Sequence, residues 1–212
     1  MLKDLRDLDT AGSVLIASLN QLRSFNPLDY CIHALNTNLT VLPKDNFDYQ
    51  LIKAYINNTW QTKNQNQLGL TKEYIRNIFK IAWKQDLNFE RGLNTRLLFH
   101  GTKNCNLMGI LGQGLLIKPG TADFTGDMFG DGIYFADTFD KSINYCTDWN
   151  FFGIERHRFV LVCEVILGNM KEVREYNEDL KKGKLPNLYD SIHGMGWQGP
   201  DYEFLTTVKG NL

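Results

Sequence analysis

The run Phe159-Val160-Leu161-Val162-Cys163-Glu164-Val165-Ile166-Leu167 constrains this chain most, because it is apolar at every position but Glu164. It falls well short of the ~20 residues that cross a bilayer. A segment this apolar on both faces reads as a strand set deep in a sheet. Two shorter pieces read the same way, Arg96-Leu97-Leu98-Phe99-His100 and Gly132-Ile133-Tyr134-Phe135-Ala136. Residues 75–83 stay open between two periods. Ile75, Phe79, Ile81 and Trp83 alternate as in a strand, whereas Ile75, Ile78, Phe79 and Ala82 also suit a helix.

Helical signals dominate the first part of the chain. Leu2, Leu5, Leu8, Val14, Leu15, Leu19 and Leu22 recur at three and four residues, with a break near residues 10–13. A polar stretch with the turn signal Asn26-Pro27 occupies residues 25–42. Leu51, Ile52, Tyr55, Ile56 and Trp60 then share a stripe, with Asp45 or Asn46 to cap it. A short helix is expected over residues 106–112, ended by Gly112 or Gly114. The fold class that follows is α+β, a helical front leading into mixed, mostly antiparallel sheets with short helices.

The charge balance narrows the function classes. Lys and Arg number 23 against 24 Asp and Glu, a formal net charge of −1, so nothing electrostatic draws this chain to nucleic acid. The one basic cluster, Lys181-Lys182-Gly183-Lys184, follows Glu178-Asp179 and reads as a solvated turn. Cys31, Cys105, Cys146 and Cys163 lie far apart, without the spacing of a zinc site or the density of a disulfide framework. No metal site is expected. Free thiols, a charged start at residues 1–7 and the lack of a long apolar run point to an intracellular protein, nuclear or cytoplasmic, with no membrane partner.

Three local pieces carry chemistry. In Leu98-Phe99-His100-Gly101-Thr102 a strand end offers an imidazole, and the glycine lets backbone approach a ligand; alone, such a histidine is as well read as structural. In Gly126-Asp127-Met128-Phe129-Gly130-Asp131-Gly132 three glycines suit a loop folded over a ligand, or simply a flexible approach to the strand that follows. In Lys141-Ser142-Ile143-Asn144-Tyr145-Cys146, capped by Asp137 or Thr138 with Asp140 in its first turn, Ser142 and Tyr145 share one helix face. A hydroxyl beside a flat aromatic can read an amide and stack on a pyridinium ring. The plain alternative is a tyrosine packed at a helix end.

Taken in order, these pieces resemble the catalytic domain of the poly(ADP-ribose) polymerase family. Leu98-Phe99-His100-Gly101-Thr102 is similar to that family's strand with its NAD-binding histidine, and Gly109-Ile110-Leu111-Gly112-Gln113-Gly114-Leu115 to the helix after it. Residues 126–146 follow its glycine-rich loop, tyrosine strand and Ser-x-x-Tyr helix almost position by position, and Leu167-Gly168-Asn169-Met170 and residues 191–196 continue the match. Residues 47–60 look like the first helix of that domain. The resemblance implies a catalytic domain over residues 26–212 and a remnant of a helical regulatory domain over residues 1–25. It implies NAD as substrate and proteins as acceptors of ADP-ribose. His100 would bond the adenosine ribose, Gly101 and Ser142 would meet the nicotinamide carboxamide, and Tyr145 would stack on the nicotinamide with Tyr134 on its other side. Lys141 lies beside the site, solvated or touching the acceptor.

One part of the pattern departs. The family's glutamate, which binds ribose hydroxyls and activates the acceptor, has a superficial counterpart in Glu203 of Asp201-Tyr202-Glu203-Phe204-Leu205. The register set by residues 191–201 instead puts Glu203 in a loop upstream of the glutamate strand, and the chain ends at Leu212. On that register the chain is a shortened form without its catalytic acid, an NAD- or ADP-ribose-binding module rather than a transferase. Asp127 and Asp131 also set acidic side chains in a loop expected near pyrophosphate. Finally, Gly194-Met195-Gly196-Trp197-Gln198-Gly199 matches GxGxxG, but the 13 residues after it cannot supply the helix and second strand of a dinucleotide-binding unit.

Overall fold

The structure, a computed structural model, describes residues 35, 37–60, 75–84, 94–117, 129–146, 157–174, 180 and 185–195. The expected helix over residues 1–25 and Glu203 lie outside them. In chain order the elements are β1 (Thr37–Val41), α1 (Phe47–Thr59), β2 (Phe79–Trp83), β3 (Thr95–Gly101), a 3₁₀ turn (Asn104–Asn106), α2 (Leu107–Gln113), α3 (Phe139–Ile143), β4 (Val160–Ile166), β5 (Met170–Val173) and β6 (Ser191–Gly194). Mixed short sheets with short helices make this an α+β fold. Among the described residues β1 pairs β2 and β3 pairs β4, both antiparallel, and β5 pairs β6 in parallel. No described helix is long and apolar enough to cross a membrane.

Asn46 starts α1 as a cap. Its side chain accepts from the Asp48 N–H at 2.8 Å and the Tyr49 N–H at 3.4 Å, and Asp48 suits the positive end of the helix. The apolar stripe of α1 then turns inward. Tyr55, Ile56 and Trp60 pack with Phe99 of β3 and with Phe139 and Ile143 of α3. Phe99 is wholly buried at the centre of this cluster. Trp60 and Phe99 both approach Phe139, at ring separations of 4.9 and 5.7 Å, the second edge-on. The core therefore clamps α1 and α3 onto β3, whose end carries His100 and Gly101.

Residues 75–83 resolve as strand from Phe79 onward, paired from Val41↔Phe79 to Thr37↔Trp83. The partner strand β1 lies within the stretch read from sequence as merely polar. Thr37, Thr40 and Val41 are β-branched, which suits a pleated edge. The apolar run forms β4, but it is half-buried rather than deep, with Glu164 and Ile166 exposed. The expected strand over residues 132–136 reduces to one bridge, Phe99↔Ala136. The Tyr134 carbonyl here accepts from the His100 ring rather than from a neighbouring strand. α2 forms as expected and stops at Gly114, whose φ of 84° suits glycine and whose N–H caps the Ile110 carbonyl.

The two later sheets are fastened together around residues 167–169. The Leu167 N–H donates to the Asn94 carbonyl, and the Asn94 side chain donates to the Gly168 carbonyl. Asp190 Oδ2 accepts from the Asn169 N–H, and Ser191 Oγ donates to the Leu167 carbonyl. These bonds hold β5 and β6 beside the start of β3.

Candidate active site

The end of β3 is held from two sides. His100 and Gly101 oppose Leu161 and Val160 of β4. On the other edge, Phe99 and Ala136 exchange two backbone bonds of 2.8 Å. That exchange lays residues 134–136 along β3 and brings the Tyr134 carbonyl to 2.8 Å from His100 Nδ1. A carbonyl can only accept, so Nδ1 carries the proton and Nε2 is left as an acceptor. Phe135 stands edge-on to the imidazole, centroids 5.7 Å apart. Burial pushes the His100 pKa below its ordinary value, and the bond to Tyr134 opposes only part of that shift. The ring is thus neutral, with one tautomer selected.

Gly101 lies against Ser142 with no space for a side chain, because a Cβ built there would overlap the Ser142 carbonyl. This is a close backbone approach of the kind only glycine permits. Ser142 itself is 3% exposed, on the inner face of α3. Thr138 precedes the helix without a side-chain capping bond, so neither expected capping side chain is seen to close it, while Asp140 does fall in its first turn. The Tyr145 N–H donates to the Ser142 carbonyl at 3.1 Å, which fixes where its ring leaves the chain.

The two phenols are more open. Tyr134 is 40% and Tyr145 46% exposed, presenting ring surface to solvent. The Tyr134 hydroxyl turns back on its own loop, donating to the Gly130 carbonyl at 2.7 Å and accepting from the Phe129 N–H at 3.1 Å. His100, Gly101, Ser142 and Tyr134 are thereby joined by direct contacts, and Tyr145 joins them through backbone. Lys141 and Asp131 are exposed; Asp127 lies outside the described residues.

Two participants were not read from sequence. The Cys146 thiol, 5% exposed, donates to the Phe159 carbonyl at 3.1 Å and reaches the Ser142 carbonyl at 3.6 Å, tying α3 to the start of β4. Phe129 lies so close to Gly194 of β6 that a Cβ there would stand 2.7 Å from its ring. A cysteine directly after the Ser-x-x-Tyr pattern was the signal for the first. The second joins residues 65 positions apart, and nothing local announces it. An open depression lined by Ile166, Gly168, Asn169 and Asp190 lies at the far end of β4 from Gly101 and includes none of these residues. Among the described residues no cluster of His, Cys, Asp or Glu could hold a metal ion.

These features define a mixed α+β domain with an oriented imidazole, a glycine closed onto a buried serine, and two half-open phenols around the end of one strand. The family model of the poly(ADP-ribose) polymerase catalytic domain matches residues 46–211. The chain is 36% identical to poly [ADP-ribose] polymerase 1 of Gallus gallus over 99% of its own length, which is 20% of that protein. It is 35% identical to the Danio rerio protein of the same name, again over 99% of this chain and 20% of that one. It is 39% identical to poly [ADP-ribose] polymerase 2 of Zea mays over 83% of this chain and 26% of that one. The chain belongs to the poly(ADP-ribose) polymerase catalytic domain family. It spans about a fifth to a quarter of the length of these relatives.

Proposed function

We propose that this chain is an NAD-dependent ADP-ribosyltransferase that cleaves the nicotinamide–ribose bond and transfers ADP-ribose to protein acceptors. The observation that carries the reading is the closure of Gly101 onto Ser142 beside a neutral imidazole. It supports a slot in which backbone and hydroxyl groups meet a carboxamide while Nε2 accepts from a ribose hydroxyl. His100 holds the adenosine ribose, Gly101 and Ser142 take the nicotinamide amide, and the rings of Tyr145 and Tyr134 flank the pyridinium. Catalytic residues in this reading are His100 and Tyr134.

The reaction breaks the glycosidic C–N bond, whose electron pair leaves with nicotinamide, and charge develops on the ribose. An acceptor oxygen then bonds to the same carbon and gives up its proton. Fixing the ring and both riboses supplies much of the rate through positioning. The developing cation also needs a nearby anion, and Glu203 is the acidic residue that sequence offers for it. We place the catalytic unit at residues 26–212, after a helical segment at residues 1–25. Free thiols at Cys105, Cys146 and Cys163 support a reducing, intracellular setting, nuclear or cytoplasmic.

The test is incubation of the full chain with NAD labelled in its ADP-ribose, following nicotinamide release and label on protein. Release with label transfer supports the reading, and loss of both in Glu203→Gln makes Glu203 the catalytic acid. Thermal stabilisation by NAD without release leaves a binding module. Absence of both binding and release overturns the reading.

A further inference from the structure

We infer that the Tyr134 hydroxyl is a positioning group that holds residues 129–136 in the shape the NAD slot requires, separately from any stacking by its ring. The inference rests on the NAD-transfer reading above.

Tyr134 is bonded at both ends. Its phenol oxygen uses its proton on the Gly130 carbonyl and a lone pair on the Phe129 N–H, at 2.7 and 3.1 Å. Its backbone carbonyl takes the Nδ1 proton of His100. One residue therefore sets both the tautomer of the imidazole and the path of the glycine-containing stretch four and five residues earlier. That stretch is not held by strand pairing of its own. Gly130 sits at φ 90°, Gly132 has open space around its α-carbon, and residues 131–135 form no ladder. It is anchored at Ala136 through the bridge to Phe99 and at Phe129 through the contact with Gly194. The hydroxyl closes the span between those anchors.

A phenylalanine at position 134 keeps the aromatic face and the backbone carbonyl but removes both phenol bonds. The stretch then samples shapes that do not accept NAD. Apparent affinity falls in proportion to the competent fraction. For two bonds of ordinary net strength the expected change is about thirtyfold.

The experiment compares the full chain with Tyr134→Phe. The KM for NAD is expected to rise about thirtyfold, by more than kcat falls, and exchange of the Phe129 amide with deuterium in ligand-free protein to quicken to a similar degree. A purely structural role would lower the yield of folded protein and leave KM unmoved. Equal KM and equal Phe129 exchange in the two proteins overturn the inference, and so does a wild-type Phe129 amide that exchanges as in an unstructured peptide. The last measurement needs neither the variant nor NAD. If the wild-type chain neither binds nor cleaves NAD, the functional reading fails, while the amide data still report on the hydroxyl.

Discussion

Tyr55 of α1 lies flat on Phe99 of β3, ring centroids 4.5 Å apart and planes 11° apart, and its hydroxyl donates to the Leu97 carbonyl at 2.7 Å. The stack and the bond act on the strand that ends in His100 and Gly101, so a helix some forty residues upstream fixes the position of the site. Removing the hydroxyl in Tyr55→Phe should cost about 1 kcal/mol, and Phe99→Ala about 3–5 kcal/mol. The second is a large share of the ~5–15 kcal/mol that holds a domain together. Burial, and secondarily the negative charge of Asp137, push the Tyr55 phenol well above its ordinary 10.0. The raised acid contributes stability that is full below pH 10 and is lost as the pH climbs beyond it. Urea denaturation of Tyr55→Phe at several pH values should therefore show a constant cost between pH 6 and 9.

How much of this could be read from the residues depends on where each constraint acts. The stripe of α1 is local and was legible, and its cap and the stop of α2 were legible to within two candidates each, of which the structure uses Asn46 and Gly114. That His100 would meet Tyr134 and Gly101 would meet Ser142 could be expected only from the order in which these residues recur along a known domain pattern. Whether Gly132 to Ala136 would form a strand was not legible. A period-2 pattern cannot show that a histidine side chain will claim the Tyr134 carbonyl from the ladder. β1 was missed because Thr37 and Asn38 look polar, although Thr37 is buried opposite Trp83. The contact between Phe129 and Gly194 depends on tertiary packing, to which a window along the chain is blind.

Gly101→Ala tests the close approach at its tightest point. The added methyl would have to displace the Ser142 backbone, and α3 cannot yield without disturbing Phe139 and Ile143 in the core. Overpacking of this kind costs about 1–3 kcal/mol. The expected outcome is a folded protein with a lowered Tm and no detectable stabilisation by NAD or nicotinamide. Normal NAD stabilisation in this variant would show that Gly101 does not face the ligand.

The His100 imidazole should titrate below 6.5, because burial disfavours the charged ring more than the Tyr134 carbonyl favours it. The folded state therefore binds its proton later than the unfolded chain does. The stability this contributes is present above pH 6.5 and is lost as the pH falls through the lower, folded-state value. NAD affinity should accordingly stay level from pH 8 down to about 6.5 and decline only below it, where protonation of Nε2 converts the acceptor to a donor. An NMR titration of the ring protons, assigned with His100→Gln, reads the midpoint directly. A midpoint above 6.5 would contradict the dominance of burial over the carbonyl bond.

The alkaline limit of the fold should be set by its thiols before its tyrosines. Burial raises Cys163 from 9.0 to about 11 and also raises Cys146, where the Thr102 backbone and the charge of Arg158 pull the other way. Both are acids that ionise later in the folded state than in the unfolded one. Each contributes stability that is full below pH 9 and is lost above it, at up to about 1.4 kcal/mol per pH unit while only the unfolded thiol is ionised. Cys146 carries the further consequence that its S–H bonds the Phe159 and Ser142 carbonyls, so its ionisation loosens α3 from β4 next to Gly101. Thermal unfolding should be nearly independent of pH between 7 and 8.5 and should fall steeply above 9. Cys163→Ala should make that fall shallower without touching the site, whereas Cys146→Ala should make it shallower and weaken NAD stabilisation as well. At pH 7.5 iodoacetamide should leave both thiols unmodified in the native protein and modify both in urea, a contrast that peptide mass spectrometry resolves cysteine by cysteine.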